Sequence, residues 1–171
     1  AIAAFEKTLE TVNSPFDDWS NNMGTLTVQE ERGRQLFIGN KAKCFSCHSM
    51  EDFTDDEFRN IGMFNGKEFN DSGRYLITKK GADIGKFKTP GLRNVAVTAP
   101  YMHNGRFKTL NQVLSFYNNP QMFVDDPENI DSLLRKPLHL SAQEEKDIIA
   151  FLHSLTDKTY IRNKNIILDI I

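Results

Sequence analysis

The chain has 171 residues, of which 39% are hydrophobic and 26% charged, with a formal net charge of −2. This balance is typical of a folded globular protein and excludes an intrinsically disordered chain. The sequence also lacks the clustered positive charge of a nucleic-acid-binding domain, and its apolar runs, such as residues 166–168, are too short to cross a membrane.

Two helices are predicted before residue 40. Residues 1–12 repeat apolar side chains at helical spacing, and this pattern ends at Pro15, before a polar loop. Thr27 and Glu30 then form a capping box, in which each side chain accepts a hydrogen bond from the other residue's backbone N–H. The second helix is therefore predicted to begin after Thr27 and to end at about Ile38.

The two cysteines of the chain, Cys44 and Cys47, are followed directly by His48. A Cys-x-x-Cys-His sequence predicts one covalently attached haem c, with His48 bound to one face of the iron. A disulfide and a thioredoxin-like redox centre are the alternatives, but the latter needs a βαβ context that these flanking residues lack. The 13 Phe residues suit either a pocket for a flat apolar cofactor or a Phe-rich core.

A long segment without helical periodicity follows the haem motif. Residues 49–100 are rich in Gly, Asn, Asp and Lys. We predict that they form irregular structure around the haem, with one short hairpin that includes residues 75–77. So long an irregular segment is uncommon in a compact domain unless it is functional.

Two further helices are predicted in the C-terminal half. Capping boxes begin at Thr109 and Ser141. Their helices are predicted to run to about Tyr117 and Leu155. Gly33, in the helix before the haem motif, is predicted to let the last helix approach closely through Phe151 or Leu152; a merely tolerated helix glycine is the alternative.

The predicted fold class is all-α, a cytochrome c-type domain with about four helices and long irregular haem-wrapping loops. Residues 1–20 are assigned to a connecting helix and linker, residues 21–157 to the haem domain, and residues 158–171 to a C-terminal tail. The tail is apolar at its end, and the first helix is amphipathic. Both ends are therefore predicted to dock on another haem-bearing chain or on a second copy in an oligomer.

The second axial ligand of the iron cannot be chosen from residue chemistry alone. Methionine is a frequent ligand and gives a high reduction potential, whereas tyrosine gives a low one. For any single methionine, filling a gap in the core is the more common role. The residues that stay open at this point are Met50, Met63, Met102, His103, Tyr117 and Met122.

Residues 87–105, FKTPGLRNVAVTAPYMHNG, resemble the bacterial di-haem cytochrome c peroxidase and MauG family. Stretches near residues 1–17, 109–117 and 137–156 resemble it too, in the family's order. Family members carry an N-terminal haem where peroxide reacts and a C-terminal haem that passes electrons on. The resemblance implies that this chain is the C-terminal haem domain alone, because a second Cys-x-x-Cys-His sequence is absent.

The resemblance also implies ligand roles for individual residues. Tyr117 falls where the MauG branch places a tyrosine ligand of the iron, with Met122 or Met102 as alternatives. Thr98 and Pro100 match positions whose backbone carbonyls help to hold a calcium ion between the two haems. A plain turn is the alternative for this pair.

Arg93 and His103 complete the predicted cofactor-binding set. Arg93 is the strong bidentate donor of the family-like segment and is predicted to pair with a haem propionate. His103 is predicted to lie near a haem edge or propionate. An exposed arginine and a hydrogen-bonded structural histidine are the alternatives, and no catalytic residue is assigned.

The resemblance implies an electron-transfer haem domain of a peroxidase-like or MauG-like oxidoreductase. It would pass electrons between a small redox donor protein and a second haem on a partner domain or chain. A stand-alone mono-haem c-type electron carrier is the alternative, and a haem-based ligand sensor is a third reading. Because haem c is attached after export, a periplasmic location is predicted.

Overall fold

The computed structural model describes residues 11–159. Within that range the chain forms five α-helices, which are α1 (Pro15–Ser20), α2 (Val28–Ile38), α3 (Tyr75–Thr78), α4 (Leu110–Asn118) and α5 (Ala142–Ser154). Two short strands, β1 (Phe58–Arg59) and β2 (Phe87–Lys88), pair antiparallel. The predicted helix of residues 1–12 and the apolar tail lie outside the described residues, apart from positions 11–12 and 158–159.

The three predicted capping boxes are present and set the starts of the longer helices. The hydroxyls of Thr27, Thr109 and Ser141 each accept a hydrogen bond from the backbone N–H three residues later. The side chain at that third position accepts in return from the backbone N–H of the capping residue. Because two helix-terminal donors are satisfied at once, each box defines where the helix begins. The observed starts agree with the predictions.

Helices α2 and α5 pack against each other at the centre of the molecule. A β-carbon added at Gly33 would lie 1.9 Å from the backbone oxygen of Asp147 and 2.9 Å from the β-carbon of Phe151. The helices can approach this closely only because position 33 carries no side chain. The predicted approach of the last helix is therefore confirmed, with Asp147 as the nearest neighbour.

Aromatic rings fill the core beside this helix crossing. Phe37 and Phe151 have ring centroids 5.1 Å apart, and Phe53 and Phe16 pack edge-on against them. Rings in such tilted and edge-to-face arrangements contribute about 0.5–1.5 kcal/mol per pair beyond the burial of their surface. Through Phe16, helix α1 joins the same core as α2 and α5.

Helix α1 is one of two places where the structure differs from the prediction. The sequence reading placed a polar loop after Pro15, but Ser14 and Asp17 form a fourth capping box and Pro15 occupies the first helical turn. Proline is well tolerated at that position because its missing N–H has no helical partner to lose. The Ser-Pro-x-Asp pattern therefore begins a helix here.

The second difference lies in residues 75–77, which form helix α3 and not a hairpin strand. Backbone hydrogen bonds from Leu76 to Gly73 and from Thr78 to Arg74 close a local turn. Gly73 has φ +54°, a left-handed conformation that reverses the chain before the helix. The predicted hairpin is therefore wrong, and the antiparallel pairing in this part of the chain joins β1 and β2 on either side of α3.

Candidate functional site

The Cys-x-x-Cys-His sequence forms one tight turn. Cys44–Ser46 is a 3₁₀ turn, and the backbone N–H groups of Cys47 and His48 both donate to the carbonyl of Cys44, at 3.2 and 2.8 Å. This closure brings both thiols and the imidazole together at one site. The two cysteines are free thiols.

The acidity of these thiols argues against a thioredoxin-like centre. Burial raises the pKa of the Cys44 thiol to about 12, and burial raises the pKa of Cys47 as well. A redox-active Cys-x-x-Cys pair needs a lowered thiol pKa, because the thiolate is the nucleophile. Thiols held neutral in this way suit permanent thioether bonds better than reversible disulfide exchange.

The His48 ring is oriented by its own backbone surroundings. Nδ1 of His48 lies 3.0 Å from the carbonyl oxygen of Phe53. A donor at Nδ1 leaves Nε2 as the ring nitrogen with a free lone pair, as an iron ligand requires. Burial lowers the pKa of this histidine, so the ring is neutral at neutral pH and ready to bind a metal.

Tyr117 lies on helix α4 and contacts both hydrophobic clusters of the domain. Burial raises the pKa of its phenol, and the two thiol groups of Cys44 and Cys47 are close enough to contribute to this shift. The Tyr117 side chain is half-buried, and its phenol oxygen makes no hydrogen bond within the described residues. A phenol oxygen that is left unengaged beside the haem-attachment turn suits a ligand role.

The donor atoms of these residues are of the kinds that bind haem c. Two thiols, one oriented imidazole nitrogen and one half-buried phenol fit a covalently attached haem, and the ligand roles of His48 and Tyr117 stay predictions. The described residues contain no cluster of three or more His, Cys, Asp or Glu side chains that could hold a metal ion by itself.

The methionine alternatives are less well placed. Met122 is 79% exposed on the turn that follows α4, and Met50 is 72% exposed. Met63 is buried in the second hydrophobic cluster, and Met102 packs against that cluster. The exposure of Met50 and Met122 gives no support to a ligand role for either residue, and the choice of ligand stays a prediction.

Arg93 is engaged by carboxylates of this chain. Its Nη1 lies 3.0 and 3.1 Å from the two carboxylate oxygens of Asp17, and its Nε lies 3.3 Å from Asp52. Nε also donates to the carbonyl of Glu51. These contacts attach helix α1 to the segment after the haem motif. They give no support to the role of Arg93 as a propionate partner, which stays a prediction.

The other predicted cofactor residues lie in the segment that leads to helix α4. His103 stacks on Phe87 with ring centroids 3.8 Å apart and planes 9° apart. Burial lowers the pKa of His103, which suits a neutral, stacked ring. Thr98 and Pro100 are exposed and flank a cis Ala99–Pro100 bond, and their calcium role stays a prediction.

Sequence reasoning missed a charged cluster beside Cys47. Arg59 lies 2.5 Å from Asp55 and 3.1 Å from Asp131. The backbone N–H of Asp55 donates to the carbonyl of Cys47 at 2.9 Å. The spacing of Asp55 and Arg59 is a signal that could have been noticed, but the third member is 72 residues away along the chain.

No protein-family model matches the chain, but individual proteins do. It is 35% identical to cytochrome-c peroxidase IdrP1 of Denitromonas iodatirespirans, over 91% of this chain and 48% of the relative. It is 36% identical to the methylamine utilization protein MauG of Methylorubrum extorquens (91% and 42%) and 39% identical to the cytochrome c peroxidase Ccp of Escherichia coli (91% and 31%). The chain thus spans half or less of these relatives.

Solved structures agree with the sequence comparison. A MauG-like protein associated with microbial copper homeostasis superposes with a TM-score of 0.86 at 32% identity, covering 94% of this chain and 53% of that one. The di-haem peroxidase BthA of Burkholderia thailandensis superposes with a TM-score of 0.76 at 26% identity, covering 91% and 49%. No helix within residues 11–159 is both long enough and apolar enough to cross a membrane.

Proposed function

Because the chain belongs, over about nine-tenths of its length, to the family of cytochrome c peroxidases and MauG proteins, we propose that it is the electron-transfer haem domain of a di-haem oxidoreductase. One observation carries the proposal. The chain matches 49% of a protein described as a di-haem peroxidase, and it contains one complete set of haem-binding residues. Half of the length thus corresponds to one haem of two.

The haem-binding residues have separate tasks. Cys44 and Cys47 would hold the haem through thioether bonds, on the short turn that they share. His48 would supply Nε2 to the iron, since Nδ1 lies against the Phe53 carbonyl, which keeps the ring in one orientation. When bound, haem c supplies a reversible one-electron couple.

Tyr117 is proposed as the ligand on the opposite face of the iron. Its phenol is half-buried and within electrostatic reach of both thiols. An anionic oxygen ligand favours the ferric state, so the domain would have a low reduction potential. Low potential suits a haem that hands electrons onward to a stronger oxidant, which here is a second haem.

The proposed partners follow from this role. A second haem-bearing domain or chain receives the electrons, and a small redox donor protein supplies them. Calcium at the Thr98 and Pro100 carbonyls would stabilise the junction with that second unit. The proposed location is the periplasm, because covalent haem attachment follows export.

A stand-alone mono-haem electron carrier is the second candidate. It is favoured by the single Cys-x-x-Cys-His sequence in the 171 residues. A carrier of this kind needs only the residues described above. It predicts reversible reduction and no turnover of hydrogen peroxide.

The haem content and mass of the native complex separate the two candidates. Protein isolated from its source under native conditions is weighed intact, and its haem c is quantified after conversion to the pyridine complex. We expect two haems for each copy of this chain, and oxidation of a reduced donor when hydrogen peroxide is added. One haem per complex, without peroxide turnover, would establish the carrier and contradict the proposal.

A further inference from the structure

The charged cluster beside Cys47, made of Arg59, Asp55 and Asp131, is withdrawn from bulk water. The side chains of these residues are 25%, 13% and 20% exposed. Arg59 donates to Asp55 through Nε and Nη2 and to Asp131 through Nη1. One guanidinium thus joins two carboxylates that come from distant parts of the chain.

Both aspartates are linked to the haem-binding turn by hydrogen bonds, Asp55 directly and Asp131 through Leu133 and Lys43. The N–H of Asp55 donates to the carbonyl of Cys47 at 2.9 Å. Asp131 accepts from the N–H of Leu133 at 2.9 Å, and the carbonyl of Leu133 accepts from Nζ of Lys43, the residue before the turn. The distance between these charges and the haem-attachment turn is therefore set by the fold.

Charges at fixed distance from a haem change its reduction potential. Reduction adds one electron, so a nearby positive charge stabilises the reduced form and a nearby negative charge destabilises it. Arginine stays protonated at any ordinary pH. With both carboxylates ionised, the cluster carries a net charge of about −1.

We propose that this cluster sets the reduction potential of the haem, with Arg59 as the residue that offsets one carboxylate and holds both in place. The proposal rests on the proposed haem function and adds a means of tuning it. Asp55 is the carboxylate nearest the haem-binding turn in the backbone hydrogen-bond pattern. Arg59 acts through these carboxylates and is therefore a positioning residue.

A purely structural role makes a different prediction. If Arg59 and Asp131 only hold the turn together, loss of either residue loosens the same contacts and moves the potential in the same direction. If their charges matter, loss of the cation and loss of the anion move it in opposite directions. The sign of the shift thus distinguishes the two roles.

The experiment measures the midpoint potential of the full chain with its haem attached, by spectroelectrochemical titration at neutral pH. R59Q removes a cation and is expected to lower the midpoint potential by about 59 mV. At a fixed applied potential this raises the ferric-to-ferrous ratio roughly tenfold. D131N is expected to lower that ratio by a similar factor. The double variant R59Q/D131N keeps the net charge and should lie near the wild type.

Two further variants serve as controls. R59K keeps the positive charge but lacks the planar guanidinium group, so the midpoint potential of the haem should stay near the wild-type value. K67Q removes a cation from an ion pair whose side chains are 73% and 90% exposed. Water screens that pair, so its loss should leave the potential unchanged.

Shifts of the same sign in R59Q and D131N, or no shift in either, would overturn the proposal. If R59Q fails to fold, D131N decides alone, because it must raise the potential while circular dichroism shows an unchanged fold. A wild-type chain that acquires no covalent haem would instead contradict the proposed function. A chain with haem but no charge effect would contradict only this inference.

Discussion

The protonation state of the half-buried Tyr117 phenol depends on whether a cation lies beside its oxygen. Burial raises the pKa of this phenol, so the free side chain keeps its proton at neutral pH. A ferric ion at the oxygen would reverse that preference, since a nearby cation favours the charged form. Within the described residues the phenol oxygen makes no hydrogen bond, so it remains available to a metal ion.

We expect Tyr117→Phe to change the ferric absorption spectrum and to raise the reduction potential without preventing haem attachment. The reason is that Cys44, Cys47 and His48 remain while the anionic oxygen is lost. Absorption and paramagnetic resonance spectra of the oxidised protein measure this effect. Tyr101→Phe is the matched control, because the Tyr101 hydroxyl donates to the Val95 carbonyl at 2.9 Å.

The control variant should keep the wild-type spectrum. A Tyr117→Phe spectrum identical to that of the wild type would exclude Tyr117 as the ligand. So would a near-infrared iron–methionine band in the wild-type ferric protein, which would point to Met102 or Met122.

At the scale of elements, the crossing of α2 and α5 depends on Gly33. Alanine is the better helix former by about 1 kcal/mol, so the glycine is costly for the helix alone. Its β-carbon would nevertheless lie 1.9 Å from the backbone oxygen of Asp147. Backbone atoms in a packed helix cannot move aside as a flexible side chain can.

Gly33→Ala is therefore expected to destabilise the protein by at least about 2 kcal/mol, despite the gain in helix propensity. Urea denaturation followed by circular dichroism measures the change. Gly81→Ala is the control, since a β-carbon there meets nothing within 4 Å. Equal stabilities for the two variants would show that α2 and α5 can separate without cost.

The same crossing carries an ion pair that makes stability depend on pH. Arg32 donates to both carboxylate oxygens of Asp147 at 2.9 and 3.1 Å, and the Asp147 side chain is 5% exposed. The hydrogen bond from Arg32 is the main cause that lowers the pKa of Asp147 below its usual 3.8. The folded state therefore binds this proton less readily than the unfolded state.

It follows that the Asp147 contribution is fully present above the unfolded pKa and is lost as the pH falls through the lower, folded pKa. Asp147→Asn should cost about 2 kcal/mol at neutral pH, and should then lose less stability than the wild type on acidification. Urea midpoints at neutral pH and near pH 3 test this. Asp126→Asn, at a 90% exposed position, should behave as the wild type throughout.

At the scale of the whole molecule, the proposed haem-binding residues lie beside the two hydrophobic clusters. Cys44 packs against the cluster that contains Phe37 and Phe151, and Tyr117 contacts both clusters. A haem bonded at Cys44 and Cys47 would therefore contribute apolar surface to the core as well as redox chemistry. Its removal should cost stability throughout the domain.

A variant with both Cys44→Ser and Cys47→Ser, which cannot form thioether bonds, tests this contribution. If bound haem adds about 4 kcal/mol, the thermal midpoint should fall by about 10 °C. Circular dichroism melting of the two forms gives the comparison. An unchanged midpoint would mean that the core is complete without haem and that the group is bound at the surface.

The sequence by itself determined the features that depend on neighbouring residues. The haem motif, the capping boxes of α2, α4 and α5 and the small residue Gly33 are local patterns, and the structure agrees with the predicted helices and their close approach. The two differences, at residues 15–20 and 75–77, are also local, because the Ser14–Asp17 capping box begins α1 and the hydrogen-bonded turn after Gly73 begins α3.

Only the tertiary structure decided which distant side chains meet. Arg93 could not be assigned to Asp17, nor Arg59 to Asp131, because 76 and 72 residues separate these pairs and their encounter depends on how the helices pack. The packing of Tyr117 against two hydrophobic clusters and the exposure of Met122 could not be read from the sequence either. Short-range hydrogen bonding defines where elements begin, whereas burial and ion pairing depend on the packed fold.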